Sequence, residues 1–207
     1  DKAPDTQFAI WIFMHADEGA LKRLFERGQS AILANSNPVV VPTKVVRELA
    51  QQSRRHPASA DEAEAIKEAD AIKKAGNALA FLESASKVGL IRKDLGHITN
   101  PYADDLFLLL LDRFSDTYEM CLLTDDITVR LRVRLLAHQR AKRLLAGVLT
   151  RDGDLEVESD QALFERGVRK YARYLARVAD GRGKSKDKSE VETLKNLLPA
   201  FSKAFGL

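Results

Sequence analysis

The sequence has a single cysteine among its 207 residues and no apolar run long enough to span a membrane. One thiol, Cys121, allows neither an internal disulfide framework nor a multi-thiolate zinc site, and this favours a reducing compartment. The longest apolar runs cover residues 8–14 and 106–111, far below the roughly 20 residues that a bilayer requires. The N-terminus also lacks the pattern of a secretory signal. We therefore expect a cytoplasmic protein without membrane contact.

Several catalytic motifs are missing from the sequence as well. Gly183-Lys184-Ser185 lacks the glycine that a phosphate-binding loop needs five residues earlier, because Val178 stands there. No Gly-x-Ser-x-Gly elbow is present for a serine hydrolase. The histidines are isolated, with no pair at metal-ligand spacing. These absences argue against a phosphotransferase, a serine hydrolase and a zinc enzyme.

Charge is distributed unevenly along the chain. Residues 1–129 contain 15 Lys and Arg against 20 Asp and Glu, whereas residues 130–207 contain 18 against 10. An acidic part beside a basic part suits a metal-dependent nuclease, since carboxylates bind cations and a basic surface binds phosphates. On charge alone, solvated helix faces explain the pattern better, because the net charge of +3 is modest.

Short apolar segments alternate with helical segments, and the length suits one large domain or a domain with an appendage. Strands are predicted over residues 38–42, 120–123 and 144–149. Helices are predicted over residues 44–52, 59–87, 127–143, 160–179 and 190–205, with a capping box at Ser59 and Glu62 and a linker over 181–189. The alternation within 127–143 would also suit a strand. This order predicts an α/β domain with a mostly parallel sheet.

Acidic residues stand at four places that a parallel sheet would bring together: Asp5, Glu48, Asp104-Asp105 and Asp125-Asp126. Three of these places flank short apolar segments, and Glu48 lies early in a helix that follows a strand. Parallel strands end at one edge of the sheet, so we expect the carboxylates to converge there. Mutual repulsion would then favour a bound Mg²⁺ or Mn²⁺. Any one of these acids is better explained as a helix cap, a turn residue or a solvated residue. The positions of the whole set are better explained by a shared metal site.

The order and spacing of these motifs resemble those of the PIN-domain nucleases. The motifs are Asp5-Thr6, PTKVVREL at 42–49, ADDLFL at 103–108 and LLTDD at 122–126. The resemblance covers about residues 1–150, and it implies a Rossmann-like α/β/α sandwich, metal-dependent endonuclease activity and RNA as the usual substrate. The sequence departs from the family in two respects. Only Ala3 and Pro4 directly precede Asp5, where the family has a full apolar strand. The segment over residues 59–87 is longer than in the compact toxin-like members, so the resemblance does not imply a toxin–antitoxin pair.

The resemblance also implies roles for individual residues. By position, Asp5, Glu48, Asp104 and Asp126 would be the acids of a metal site that holds Mg²⁺ or Mn²⁺. Thr124 would support this site by hydrogen bonding. Asp105 and Asp125 are neighbours that could take the place of Asp104 and Asp126.

Basic residues follow the last acidic motif directly. We expect contacts to nucleic-acid phosphates from Arg130, Arg134, Arg140, Lys142 and Arg143. On a helix, residues 130 and 134 share one face beside the expected metal site, although a solvated flank explains them equally well. A further series of bases over 169–177 alternates with tyrosines, and a packing stripe is the favoured interpretation there.

The sequence thus predicts a metal-dependent nuclease domain over residues 1–150 and a basic helical extension over 151–207. Its predicted activity is that of an endoribonuclease that hydrolyses phosphodiester bonds by metal-activated water. The alternative is a non-catalytic module of the same fold that binds nucleic acid or assists assembly, and such a module should lack two or more of the carboxylates. The sequence leaves open whether the chain assembles with a second copy of itself or binds a regulatory protein.

Overall fold

Seven helices account for most of the residues that the structure describes. This computed structural model describes residues 8–12, 19–20, 22–27, 39–41, 43–59, 61–88, 91–92, 103–116, 119–141 and 143–207. The helices are α1 (19–20 and 22–27), α2 (Thr43–Ser53), α3 (Glu62–Lys87), α4 (Ala103–Phe114), α5 (Ile127–Arg140), α6 (Asp160–Ala179) and α7 (Ser185–Phe205). None of these described helices is long and apolar enough to cross a membrane.

Short strands form a sheet in the order β3-β2-β1-β4-β5-β6. They are β1 (Phe8–Ile12), β2 (Val39–Val40), β3 (Ile91–Arg92), β4 (Glu119–Leu123), β5 (Leu144–Leu149) and β6 (Leu155–Glu156). Strands β1 to β5 pair in parallel, and β6 pairs with β5 in antiparallel orientation. Strand β4 therefore lies between β1 and β5, with Cys121 opposite both Ile10 and Leu145.

The predicted fold class, a Rossmann-like α/β/α sandwich around a mostly parallel central sheet, is wrong. Helices dominate the described residues, only β1, β4 and β5 are longer than two residues, and the antiparallel β6 makes this small sheet mixed. One reason lies in the sequence of β2. Pro38 and Pro42 bracket this segment, and because proline has no N–H to donate to a neighbouring strand, the pairing is confined to Val39–Val40. Alternation of short apolar segments with helices does not by itself specify a large sheet.

Capping side chains explain where several helices begin. Helix α3 starts after Asp61, whose carboxylate accepts hydrogen bonds from the N–H groups of Ala63 (2.8 Å) and Glu64 (3.3 Å). The predicted capping box at Ser59 is therefore wrong, since the cap lies two residues further on. Helix α6 begins after Ser159, whose hydroxyl accepts from the N–H of Ala162.

Two predicted boundaries in the second half of the chain also change. Helix α5 ends at Arg140, because Ala141 has a left-handed backbone conformation with φ of 50°. The predicted linker over 181–189 is wrong in its second half, since α7 begins at Ser185. Asp187 lies in the first turn of α7, where its carboxylate accepts the backbone N–H of Lys184.

The core has two parts that meet at α5. Met120, Cys121 and Leu122 of β4 are fully buried in the first, which includes the apolar faces of α2, α3 and α4. The second contains Leu131 of α5 with Leu163, Leu194, Leu198 and Phe201 from α6 and α7. The C-terminal helices therefore pack on α5. The division at residue 150 into a domain and an extension stays a prediction.

Candidate functional site

The end of strand β4 is fixed by a chain of hydrogen bonds through Thr124 and Asp126. The backbone N–H of buried Thr124 donates to the carbonyl of Gly147 on β5 (3.0 Å). The Thr124 hydroxyl accepts from the backbone N–H of Asp126 (3.1 Å), and Oδ1 of Asp126 accepts from the N–H of Thr128 (2.8 Å). Asp126 is thereby the N-cap of α5. These bonds hold its carboxylate in a defined position just beyond the sheet.

Lys170 of α6 reaches this carboxylate. Its Nζ atom lies 3.0 Å from Oδ1 of Asp126 and 3.2 Å from Oε2 of Glu190, and it donates to the hydroxyl of Thr128 (2.8 Å). The Thr128 hydroxyl in turn donates to Oε2 of Glu190 (2.9 Å). We call these four residues the Lys170 network. It joins the end of β4 to both C-terminal helices.

The network shifts the pKa values of its central pair in opposite directions. Burial raises the pKa of the Asp126 carboxyl, but the Lys170 ammonium and the hydrogen bonds outweigh burial, so this pKa lies below its ordinary value. Burial likewise lowers the pKa of Lys170, but Asp126 and Glu190 outweigh it and the pKa is raised. Both groups are therefore charged around neutral pH.

A cleft with a volume of about 520 Å³ opens beside the Lys170 network. Its wall contains two adjacent carboxylates at the end of β4, five cationic side chains from α6 and α7, and two further residues. These residues are Asp125, Asp126, Ile127, Arg166, Arg169, Lys170, Arg173, Tyr174 and Lys186. Asp125 is exposed, whereas Asp126 is only partly exposed. The cleft thus combines a strongly cationic wall with two oxygen-donor side chains.

The other predicted acids are distributed as follows. Glu48 lies on α2, where its Oε1 is 3.5 Å from the Nζ of Lys44. Asp104 and Asp105 are the second and third residues of α4, and their side chains lie outside the described part of the chain. Asp5 also lies outside it. Among the residues that are described, no group of three His, Cys, Asp or Glu could hold a metal ion.

Contacts between α4 and α5 bear on the position of Asp104. The two helices touch each other, and Oδ1 of Asp112 in the last turn of α4 lies 3.6 Å from Nε of Arg140, the last residue of α5. The helices have 12 and 14 residues, about 18 Å and 21 Å in length. Asp104 is the second residue of α4, and Asp125 and Asp126 directly precede α5.

Asp5 precedes the first strand that the structure describes, whereas the resemblance implies that it follows a strand. Strand β1 begins at Phe8, so Asp5 precedes it in the sequence. The sequence feature that indicates this strand is the apolar run over residues 8–14. The first acidic residues after β1 are Asp17 and Glu18, which lie outside the described residues. The sequence interpretation overlooked them because it assigned the first motif by its Asp-Thr pair.

The predicted phosphate contacts of α5 need correction, because α5 is covered by α6. Arg130 is only 1% exposed and is paired with Glu158, so the prediction that it contacts phosphate is wrong. Arg134 donates to both carboxylate oxygens of Asp160 (2.8 and 3.0 Å). These ion pairs attach the start of α6 to α5.

The remaining predicted bases are the last residue of α5 and two residues that follow the helix in the sequence. Arg140 is exposed, with Nε 3.6 Å from Asp112 on α4. Arg143 is exposed beyond the helix, and Lys142 lies outside the described residues. None of the predicted bases that the structure describes lines the cleft.

Sequence reasoning missed the basic residues that do line the cleft. Arg169, Lys170 and Arg173 belong to the series in which bases alternate with tyrosines, which had been interpreted as packing. Tyr174 is half-buried and packs on the second part of the core, but it also lines the cleft. The guanidinium of Arg177 lies 4.4 Å and the ammonium of Lys170 5.7 Å from its ring centre. The net positive charge of residues 130–207 indicated a basic surface in this part of the chain. It did not show that α6 would carry most of that surface at the cleft.

No family model, no curated protein and no solved structure matches this chain.

Proposed function

We propose that this protein is a metal-dependent endonuclease that acts on RNA. The observation that carries the proposal is the composition of the cleft. Two adjacent carboxylates, Asp125 and Asp126, share its wall with cationic side chains from α6 and α7. A phosphodiester substrate needs both kinds of group, since cations bind its phosphates and carboxylates hold the metal ion that assists hydrolysis.

The donor chemistry of this edge fits Mg²⁺ or Mn²⁺, because both are hard cations that prefer carboxylate oxygens. Asp126 would hold the ion, with Asp125 beside it and Asp104 from the start of α4. When bound, such an ion lowers the pKa of a coordinated water and neutralises charge on the scissile phosphate. Thr124 and the N–H of Thr128 keep the Asp126 carboxylate in place, and Lys170 adds a positive charge next to it.

A non-catalytic protein that binds nucleic acid is the second candidate, and one observation favours it. Oδ1 of Asp126 already accepts hydrogen bonds from Lys170 and Thr128. A carboxylate whose charge is balanced by an ammonium group has less affinity for a metal ion. In this alternative the cleft would bind RNA, and the Lys170 network would serve only the fold.

Cleavage assays distinguish the two candidates. Purified protein is incubated with end-labelled RNA and with DNA of the same sequence, in Mg²⁺, in Mn²⁺ and in EDTA. We expect internal cleavage of the RNA with either metal ion and none in EDTA. Intact RNA in all conditions, with binding retained, would favour the non-catalytic candidate. Cleavage of the DNA alone would overturn RNA as the substrate class.

Variants assign the activity to the carboxylates. Asp104→Asn and Asp126→Asn should each lower the cleavage rate by about 100-fold or more. Asp61→Asn is the matched control, because Asp61 also caps a helix with its carboxylate and lines no part of the cleft. Asparagine caps helices as well as aspartate does, so the control should keep full activity.

The compartment that we propose is the cytoplasm, on the basis of the single cysteine. Cys121 is fully buried in β4, and burial raises the pKa of its thiol to about 12. A thiol of this kind is a core residue and is not a nucleophile at neutral pH.

A further inference from the structure

We propose that the RNA phosphates are bound by Arg169, Arg173 and Lys186 of the two C-terminal helices, and not by the arginines of α5. This inference rests on the proposed function for the identity of the polyanion. It assigns a binding role to the part of the chain that the nuclease motifs leave unexplained.

The pairing of the basic side chains separates these three residues from their neighbours. Arg169, Arg173 and Lys186 are exposed, line the cleft and make no ion pair with a carboxylate in the described part of the chain. In contrast, α5 uses Arg130 and Arg134 to bind Glu158 and Asp160. A cation that already has a carboxylate partner gains little from a phosphate, because the first partner must be displaced.

The two C-terminal helices determine the positions of the three cations, and contacts of neighbouring residues fix these helices. Arg169 and Arg173 are four residues apart on α6, so they lie on one face about 6 Å apart along the helix axis. Lys170 lies between them and is fixed by the Lys170 network. Lys186 lies in the first turn of α7, which Asp187 anchors to α6 through Arg177, with Oδ1 3.1 Å from the guanidinium.

The size of the cleft favours a single strand as the ligand. Its volume of about 520 Å³ is that of a pocket for a small molecule, roughly 300–1,000 Å³. An RNA duplex is a stiff A-form helix of two strands with a wide, shallow minor groove, and it cannot enter a pocket of this size. A single-stranded segment can therefore place successive phosphates along Arg169 and Arg173 while one phosphate approaches Asp126.

The test is RNA binding in EDTA, where cleavage cannot interfere. Fluorescence anisotropy measures the affinity for a labelled single-stranded RNA of about 12 nucleotides at several salt concentrations. The triple variant Arg169→Ala/Arg173→Ala/Lys186→Ala should bind about tenfold or more weakly, and its plot of log affinity against log salt should flatten by about 2 units. The double variant Arg169→Lys/Arg173→Lys keeps the charges and should retain the slope of the wild type.

The matched control is Lys73→Ala/Lys87→Ala/Lys203→Ala. It removes the same number of positive charges from exposed positions that do not line the cleft, so its slope should stay close to that of the wild type. Equal flattening in the control and cleft variants, or an unchanged slope in the cleft variant, would overturn the inference. Tighter binding of duplex than of single-stranded RNA would overturn the choice of ligand.

The outcome is separable from that of the proposed function. If the wild type cleaves RNA but the cleft variant binds normally, the inference fails and the proposed nuclease stands. If the wild type never cleaves RNA but the cleft variant loses binding, the inference stands and the nuclease proposal fails.

Discussion

The ammonium nitrogen of Lys170 lies 3.0 Å from Oδ1 of Asp126. The two residues are 44 positions apart in the sequence, and the contact joins α6 to the end of β4. It is mostly shielded from water, because the Lys170 and Asp126 side chains are 13% and 23% exposed. The C-terminal helices thus contribute directly to the electrostatics of the candidate site.

The first prediction concerns the stability that this contact provides. Lys170→Met retains a long side chain but leaves the carboxylates of Asp126 and Glu190 near each other without their cation. Uncompensated charges with little exposure are costly, so we expect the free energy of unfolding at pH 7 to fall by about 2–3 kcal/mol. Urea denaturation measures this value. A loss close to zero would mean that solvent replaces the ammonium without cost.

The second prediction follows from the direction of the Asp126 pKa. This pKa is lowered in the folded protein, so the stabilisation by Asp126 is complete above its unfolded pKa of about 3.9 and is lost as the pH falls through the folded pKa. In Lys170→Met, the Asp126 carboxyl loses the ammonium group that lowers its pKa most, so this pKa should be higher than in the wild type. The stability difference between wild type and variant should therefore shrink from neutral pH towards about pH 3. A difference that is constant over this range would contradict the assigned cause.

The third prediction separates folding from binding at Arg130. Its side chain is buried and paired with Glu158, and Arg166 also pairs with Glu158 at 2.7 Å. Because Glu158 keeps one partner, Arg130→Met should cost about 2 kcal/mol of stability. The salt dependence of RNA binding should remain that of the wild type. A flatter salt dependence of RNA binding in this variant would mean that Arg130 does contact the RNA phosphates.

The fourth prediction compares two glycines. A Cβ atom at Gly147 of β5 would lie 2.9 Å from the carbonyl oxygen of Glu156 on β6, so Gly147→Ala should destabilise the protein by about 1–3 kcal/mol. A Cβ atom at Gly76 of α3 would approach nothing closer than Ser53 at 3.9 Å, and Gly76→Ala should stabilise by about 0.5–1 kcal/mol. Thermal denaturation should show a lower melting temperature for Gly147→Ala and a higher one for Gly76→Ala than for the wild type.

Local patterns predicted individual elements better than they predicted the architecture. The strand over 144–149 and the helix over 160–179 lie where the sequence indicated, because apolar periodicity and capping residues act over a few positions. The size of the sheet depends on how strands pair across long separations. The prolines around β2 account for its two residues, but no local pattern reports that the described part of β3 is also only two residues long.

The candidate site was predictable only in part for a related reason. The LLTDD motif showed that Asp125 and Asp126 follow a buried strand. Lys170 comes from a helix that the motif does not include, and its approach to Asp126 depends on how α6 packs on α5. The same packing buries Arg130, which appeared to be a surface arginine on the basis of sequence alone.

Mn²⁺ binding to the free protein tests the central claim, that the carboxylates at the end of β4 form a metal site. Electron paramagnetic resonance reports the free Mn²⁺ that remains as the ion is titrated into the protein. We predict binding by the wild type, a large loss in Asp104→Asn/Asp126→Asn, and full retention in Arg169→Ala/Arg173→Ala/Lys186→Ala. Equal Mn²⁺ binding by the wild type and the double carboxylate variant, or no binding by the wild type, would contradict the account.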